Sequence, residues 1–80
     1  MTIEVFTLDN CVQCEQTKKQ FDRAGVRYTE QKLTAEKADE FRELGFAAAP
    51  IVQTDREIWS GFRLAKIKDT AHAIFSERRD

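Results

Sequence analysis

Between Thr2 and Thr7 apolar and polar side chains alternate, with Ile3, Val5 and Thr7 on one side and Glu4 and Phe6 on the other. A period of two predicts a strand, and Phe6 on the second side says that both faces are covered. From about Cys11 to Ala24 the period becomes helical: Cys14, Thr17, Phe21 and Ala24 share one stripe, while Glu15, Lys18, Lys19, Asp22 and Arg23 lie elsewhere. Gly25 can close that helix in a left-handed conformation. Val26 to Lys32, carrying Val26, Tyr28 and Thr29, predicts a second strand. Thr34 is placed as an N-cap with Glu36 in the first turn, and Ala35, Ala38, Phe41 and Leu44 mark a short second helix that stops at Gly45. Pro50 to Thr54 reads as a third strand, Asp55-Arg56 as a two-residue turn and Glu57 to Ser60 as a fourth strand, so the last two form an antiparallel hairpin. Leu64, Ile67, Ala71, Ile74 and Phe75 define the inner stripe of a last helix.

The order is βαβαββα, an α/β sandwich with a four-stranded mixed sheet and three helices. The first β-α-β is expected to be a right-handed crossover onto a parallel strand, and the hairpin supplies the antiparallel part. With 80 residues and no linker, repeat or low-complexity segment, residues 1–80 are read as one domain. Only the charged end Glu77-Arg78-Arg79-Asp80 looks loose.

Charge narrows the function. Thirteen basic and 14 acidic residues, a net charge of −1, leave no basic footprint for nucleic acid and no polybasic membrane segment. The start, MTIEVFTLDN, lacks the basic residues and apolar run of a signal peptide, and no apolar stretch approaches the ~20 residues of a membrane span. The expected location is the cytoplasm, which keeps thiols reduced, so a lone CxxC there reads as redox or metal chemistry.

Both cysteines of the chain sit in Leu8-Asp9-Asn10-Cys11-Val12-Gln13-Cys14-Glu15. Cys11 falls just after the first strand, at the mouth of the first helix, where free backbone N–H groups and the positive end of the helix dipole converge. It should titrate below the ~8.5 of a free cysteine. Cys14, one turn on and in the stripe of Phe21, should be more buried and more protonated. That asymmetry suits dithiol exchange, in which Cys11 attacks a disulfide and Cys14 resolves the mixed disulfide, with no metal and no organic cofactor. The alternatives are two inert small residues at a helix start, or a metal or cluster bridged between two chains, since two cysteines and His72 fall short of the four ligands of a zinc site. His72 lies off the inner stripe of its helix and reads as a solvated residue.

Two further stretches have double readings. Pro50 follows Ala47-Ala48-Ala49 at the start of a strand; residue statistics alone favour a trans bond, and a proline opening a strand is ordinary. Trp59 and Phe62 flank Ser60-Gly61, either as core packing around a turn or as a recognition loop.

Taken together, Cys11-Val12-Gln13-Cys14, Ala49-Pro50-Ile51-Val52 and Trp59-Ser60-Gly61-Phe62-Arg63 resemble the glutaredoxin-like, thioredoxin-fold redoxins, and most closely the NrdH redoxins, over essentially all 80 residues. The resemblance implies a thioredoxin-like three-layer sandwich. It implies a thiol–disulfide carrier that passes electrons to the large subunit of a class Ib ribonucleotide reductase and is recharged by thioredoxin reductase and NADPH. Carried over by position, Cys11 is the attacking thiol and Cys14 the resolving one. Pro50 is the family's cis-proline, freeing the Ala49 backbone to pair with substrate. Trp59, Ser60, Gly61 and Phe62 form the adjoining loop, in a hydrogen-bonded network near the site, and Val12 and Gln13 complete the partner-binding surface. A monomer is expected. The family commonly continues this loop with Pro-Asp, whereas here Leu64-Ala65 follows, losing a pre-organised helix start. A conventional glutathione-dependent glutaredoxin is the rival reading. It needs cations for the tripeptide's carboxylates, and Thr7-Leu8-Asp9-Asn10 offers an acid and no cation, leaving Arg42 or Arg63 to approach in space.

Overall fold

The computed structural model describes residues 1–77; the loose end expected at 77–80 therefore falls almost wholly on residues 78–80, outside the described residues. The elements are β1 (Ile3–Thr7), α1 (Val12–Arg23), β2 (Thr29–Lys32), α2 (Ala35–Glu43), β3 (Ile51–Thr54), β4 (Ile58–Ser60) and α3 (Leu64–Glu77), in the expected order βαβαββα. The sheet runs β2-β1-β3-β4, with β2 parallel to β1 and the β3–β4 hairpin antiparallel.

The pleat sorts side chains into two cores. Val5, Val52 and Trp59 stand in one cross-strand row, and Phe6, Ile51 and Ser60 in the next. The first row joins Ile3 with Phe21 of α1 and Ile67 and Ala71 of α3. The second meets α2 through Phe41, whose ring stands edge-on to Phe6 at 5.0 Å between centroids. Phe6 thus fulfils its placement on a second covered face, and the result is helices on both sides of one sheet, a thioredoxin-like three-layer arrangement.

A 12-residue helix is marginal alone in water, so α1 depends on what it buries: Cys14, Thr17 and Phe21, as the stripe requires. Burying Phe21 alone contributes about 1.5–3 kcal/mol. Ala24 caps the helix and Gly25 follows at φ 71, the left-handed closure expected there.

Four expectations are corrected. Val26 and Tyr28 precede β2 rather than belonging to it, and the four strand residues are all exposed, because β2 is an edge whose sequence carries no apolar alternation. In α2 only Phe41 is buried; Ala35 and Leu44 face solvent, since nine residues reach the sheet with a single turn. Leu64 and Phe75 stay 38% and 42% exposed at the two ends of α3. Leu64 lines an open groove between α1 and α3, and Phe75 lies over the end of α1, its Cζ 3.7 Å from where a Gly25 side chain would begin. Thr70 is buried in α3 although the stripe omits it. With Leu64-Ala65 where the family commonly has Pro-Asp, the last helix begins at Leu64, with Ile67 N–H donating to Arg63 O at 3.1 Å. Among the described residues no helix is long and apolar enough to cross a membrane.

Candidate active site

After Thr7 the chain must leave the sheet and enter a helix within four residues. Asn10 makes the bend at φ 55, a left-handed conformation that asparagine tolerates better than most residues. Cys11 follows in an extended conformation as the N-cap of α1. Its Sγ, where a hydroxyl or carboxylate oxygen is usual, accepts the Cys14 N–H at 3.2 Å, and its carbonyl accepts Glu15 N–H at 3.2 Å. Cys11 and Cys14 are joined as a disulfide, their Cα atoms 5.2 Å apart. Cys14 is wholly buried, Cys11 only half so, and Val12 and Leu8 beside them are 73% and 48% exposed. One sulfur therefore faces the exterior within an apolar rim while the other stands behind it.

The opposite wall comes from the hairpin. The Ala49–Pro50 peptide is cis, as the resemblance implies and against the trans reading from residue statistics. Pro50 is buried, its carbonyl accepts Gly61 N–H at 2.7 Å, and no backbone hydrogen bond among the described residues engages Ala49. Gln13 Oε1 accepts Phe62 N–H at 3.0 Å, which ties the CxxC turn to the loop after β4. Gly61, at φ 79, sits so close that a Cβ there would meet the same Oε1 at 3.3 Å. The structure thus brings Gln13, Pro50, Gly61 and Phe62 together. Trp59 is different: it is 2% exposed within the α1/α3 core, and Phe62 packs against that core from the edge. Trp59 thus takes the core-packing reading of this stretch, while Gly61 and Phe62 lie beside Gln13 of the CxxC turn.

A polar chain runs alongside that sequence reasoning missed. Thr7 Oγ1 donates to Glu30 Oε2 at 2.9 Å, and Lys18 Nζ pairs with Glu30 at 3.0 Å and Glu15 at 2.8 Å. Lys18, then Thr7, hold the Glu30 carboxyl below the ordinary carboxylate range, and Glu15, then Glu30, push the Lys18 ammonium up. Lys32 pairs with Asp9, holding that carboxyl low as well. Lys32 thus stands at the approach to Cys11, paired with Asp9, and Arg42 is engaged with Asp39 at 2.7 Å. The signal was the parallel register, which sets Thr7 beside Lys32 and Val5 beside Glu30. His72 is exposed on α3, and among the described residues no three His, Cys, Asp or Glu side chains gather as a metal cage. Two buried polar atoms have no hydrogen-bond partner among the described residues, Thr17 Oγ1 and Trp59 Nε1.

A vicinal disulfide-forming pair at a helix N-terminus, with one sulfur outward and one inward, on a sheet of order β2-β1-β3-β4, defines a thioredoxin-fold dithiol–disulfide oxidoreductase. Residues 3–59 match the glutaredoxin family. The glutaredoxin-like protein NrdH of Salmonella typhimurium is 35% identical over 78 residues, covering 91% of this chain and 96% of that protein. The NrdH of Lactococcus lactis subsp. cremoris is 30% identical over 71 residues, covering 86% and 99%. Among solved structures, the NrdH-redoxin of Escherichia coli superposes with a TM-score of 0.82 at 32% identity, over 86% of this chain and 93% of that one. A buckwheat glutaredoxin in complex with glutathione, at 22% identity, shares the fold with a TM-score of 0.65 over 89% of this chain and 79% of that one. The chain belongs to the glutaredoxin family, and within it to the NrdH redoxins.

Proposed function

We propose that this redoxin donates electrons to the large subunit of a class Ib ribonucleotide reductase and is itself reduced by thioredoxin reductase at the expense of NADPH. In this reading residues 1–80 act as one domain, a cytoplasmic monomer without metal or organic cofactor. The observation that carries it is the likeness to the Escherichia coli NrdH-redoxin, a glutaredoxin-like protein whose activity profile is thioredoxin-like.

The chemistry follows from the two sulfurs. In the reduced protein the Cys11 thiolate, favoured by the Cys14 N–H and the helix N-terminus, attacks one sulfur of the acceptor's disulfide. The acceptor's S–S bond breaks, a Cys11–acceptor disulfide forms, and one acceptor sulfur leaves as a thiolate that takes up a proton. Cys14 gives up its proton and attacks Cys11 Sγ. The Cys11–Cys14 bond forms, the second acceptor sulfur leaves and is protonated, and two electrons have moved from dithiol to disulfide. Val12 and Gln13 on one side and Ala49, Pro50 and Ser60 to Phe62 on the other offer the acceptor its seat, with the Ala49 backbone open to an extended segment and Trp59 holding the loop from beneath.

The test is NADPH oxidation with the oxidised protein, run in parallel with thioredoxin reductase and with glutathione plus glutathione reductase. Rapid turnover with thioredoxin reductase alone is expected. Turnover only with glutathione would make the chain a conventional glutaredoxin and overturn this reading.

A further inference from the structure

Thr17 is wholly buried in α1, and its hydroxyl has no hydrogen-bond partner among the described residues. Buried hydroxyls are nearly always paired, and an unpaired one is destabilising where valine would fill the same space without penalty. The disulfide form thus carries a hydroxyl it does not use. Thr17 lies three residues after Cys14, and both are 0% exposed, so they share one helix face with Cβ atoms about 5–6 Å apart. The polar side chains of the neighbouring Thr7–Glu30–Lys18 chain are committed to one another. Thr7 donates to Glu30, and Lys18 is held by Glu15 and Glu30. The Trp59 indole N–H, also unpaired, is on β4 rather than on the helix face of Cys14.

We propose that Thr17 is a positioning residue whose hydroxyl engages the Cys14 sulfur once the Cys11–Cys14 bond opens. In the disulfide that sulfur is bonded to Cys11; in the dithiol it is a buried thiol in need of a partner. A hydroxyl both accepts and donates, so Thr17 accepts from the Cys14 thiol and donates to the thiolate. This serves the resolving step, in which Cys14 Sγ loses its proton and attacks Cys11 Sγ, the Cys11–acceptor bond breaks, and the departing acceptor thiolate is protonated. Thr17 keeps no proton and forms no covalent bond. The inference rests on Cys14 being the resolving cysteine and not on the identity of the acceptor.

The consequence is a signed shift in redox equilibrium. Removing the hydroxyl relieves the disulfide form and deprives the dithiol form, so both effects favour the disulfide. Equilibration of the full chain against dithiothreitol should show Thr17→Val shifted about tenfold toward the disulfide, about 30 mV more negative for a two-electron couple. Thr17→Ser, which keeps the hydroxyl, should stay within about twofold of the parent. Thermal unfolding gives a second readout: Thr17→Val should gain stability in the oxidised protein relative to the reduced one. Should valine disturb the fold, Thr17→Ala also lacks the hydroxyl and must move the equilibrium the same way. An equilibrium unchanged in both hydroxyl-free variants, with equal stability changes in both redox states, would overturn the proposal. Neither readout involves a reductase or ribonucleotide reductase, so this failure is separable from failure of the electron-donor reading. Mixed-disulfide trapping by Cys14→Ser tests the resolving role on its own.

Discussion

The side-chain oxygen of Gln13 accepts the backbone N–H of Phe62 at 3.0 Å, joining residues 49 positions apart across the mouth of the active-site cleft. The contact depends on the residue between Ser60 and Phe62 having no side chain. Gly61 takes φ 79, which an L-residue rarely adopts, and a Cβ there would sit 3.3 Å from the same oxygen. The dithiol turn and the loop after β4 therefore hold each other in register through one amide and one glycine.

Gly61→Ala should lower stability by about 1–2 kcal/mol through its backbone alone, and displace Gln13 besides. Gln13→Ala, which only leaves the Phe62 N–H to water, should cost about 0.5–1.5 kcal/mol. If, as proposed, the loop seats a macromolecular acceptor, both should slow reduction of a protein disulfide more than reduction of a small one. Urea denaturation and paired rate measurements decide it. Equal stability for Gly61→Ala and the parent would mean that the loop is not held as described.

The two cysteines should separate cleanly. Cys11→Ser should abolish turnover, since the half-buried sulfur capping α1, unlike the wholly buried Cys14, is the one a partner can reach. Cys14→Ser should arrest the reaction as a covalent adduct between Cys11 and the acceptor, visible on non-reducing gels. Normal multiple turnover on protein disulfides by Cys14→Ser would defeat the two-cysteine mechanism.

What the sequence reveals follows from which interactions are local. The first strand, the stripe Cys14-Thr17-Phe21 and the hairpin around Asp55-Arg56 are legible because each buries a face with its own period. The limits of β2 are not, because an edge strand with four exposed residues has no period to read. Phe41 is recognisable in α2, but Leu44 on the same stripe is 63% exposed, since pattern cannot tell how much of a short helix the sheet will cover. The cysteine pair and its polarity are legible from a strand-to-helix junction. The pairing of Lys18 with Glu30 and of Lys32 with Asp9 depends on the register of two parallel strands, which composition does not encode. Likewise the Ala49–Pro50 bond is cis in the fold, whereas residue statistics alone favour trans.

The single tyrosine provides a reporter of packing on this face. Tyr28 lies against Phe21, ring centroids 5.7 Å apart, and burial, then the neighbouring Asp22, pushes its hydroxyl up to about 12. An unfolded tyrosine titrates near 10. The stability tied to this group is therefore complete below about pH 10 and is lost as pH rises toward 12, because over that window the unfolded chain releases a proton that the folded chain retains. Tyrosinate absorbance in the folded protein should appear only near the upper end of this range, and Tyr28→Phe should flatten the alkaline decline in stability. Ionisation near 10 with the fold intact would show that the ring is not packed as described.

On the acid side the corresponding group is Glu30, which joins the end of β1 to α1 through Thr7 and Lys18. Its carboxyl is held below the ordinary range, first by Lys18 and then by Thr7. A depressed folded pKa means that the stabilisation is present above the unfolded value of about 4.3 and is lost as pH falls through the folded one. Because the Glu30 side chain is 45% exposed, solvent screens the pair, and the contribution should stay below about 1 kcal/mol. Glu30→Gln keeps an acceptor for the Thr7 hydroxyl but removes the charge. Its urea midpoint should lie below that of the parent at neutral pH, and the two curves should converge as the parent's carboxylate is protonated. The neutral-pH gap should also narrow in high salt, as expected for a partly exposed ion pair. A gap that stays constant from neutral to acid pH would assign the role of Glu30 to packing or to the Thr7 hydrogen bond, and not to its charge.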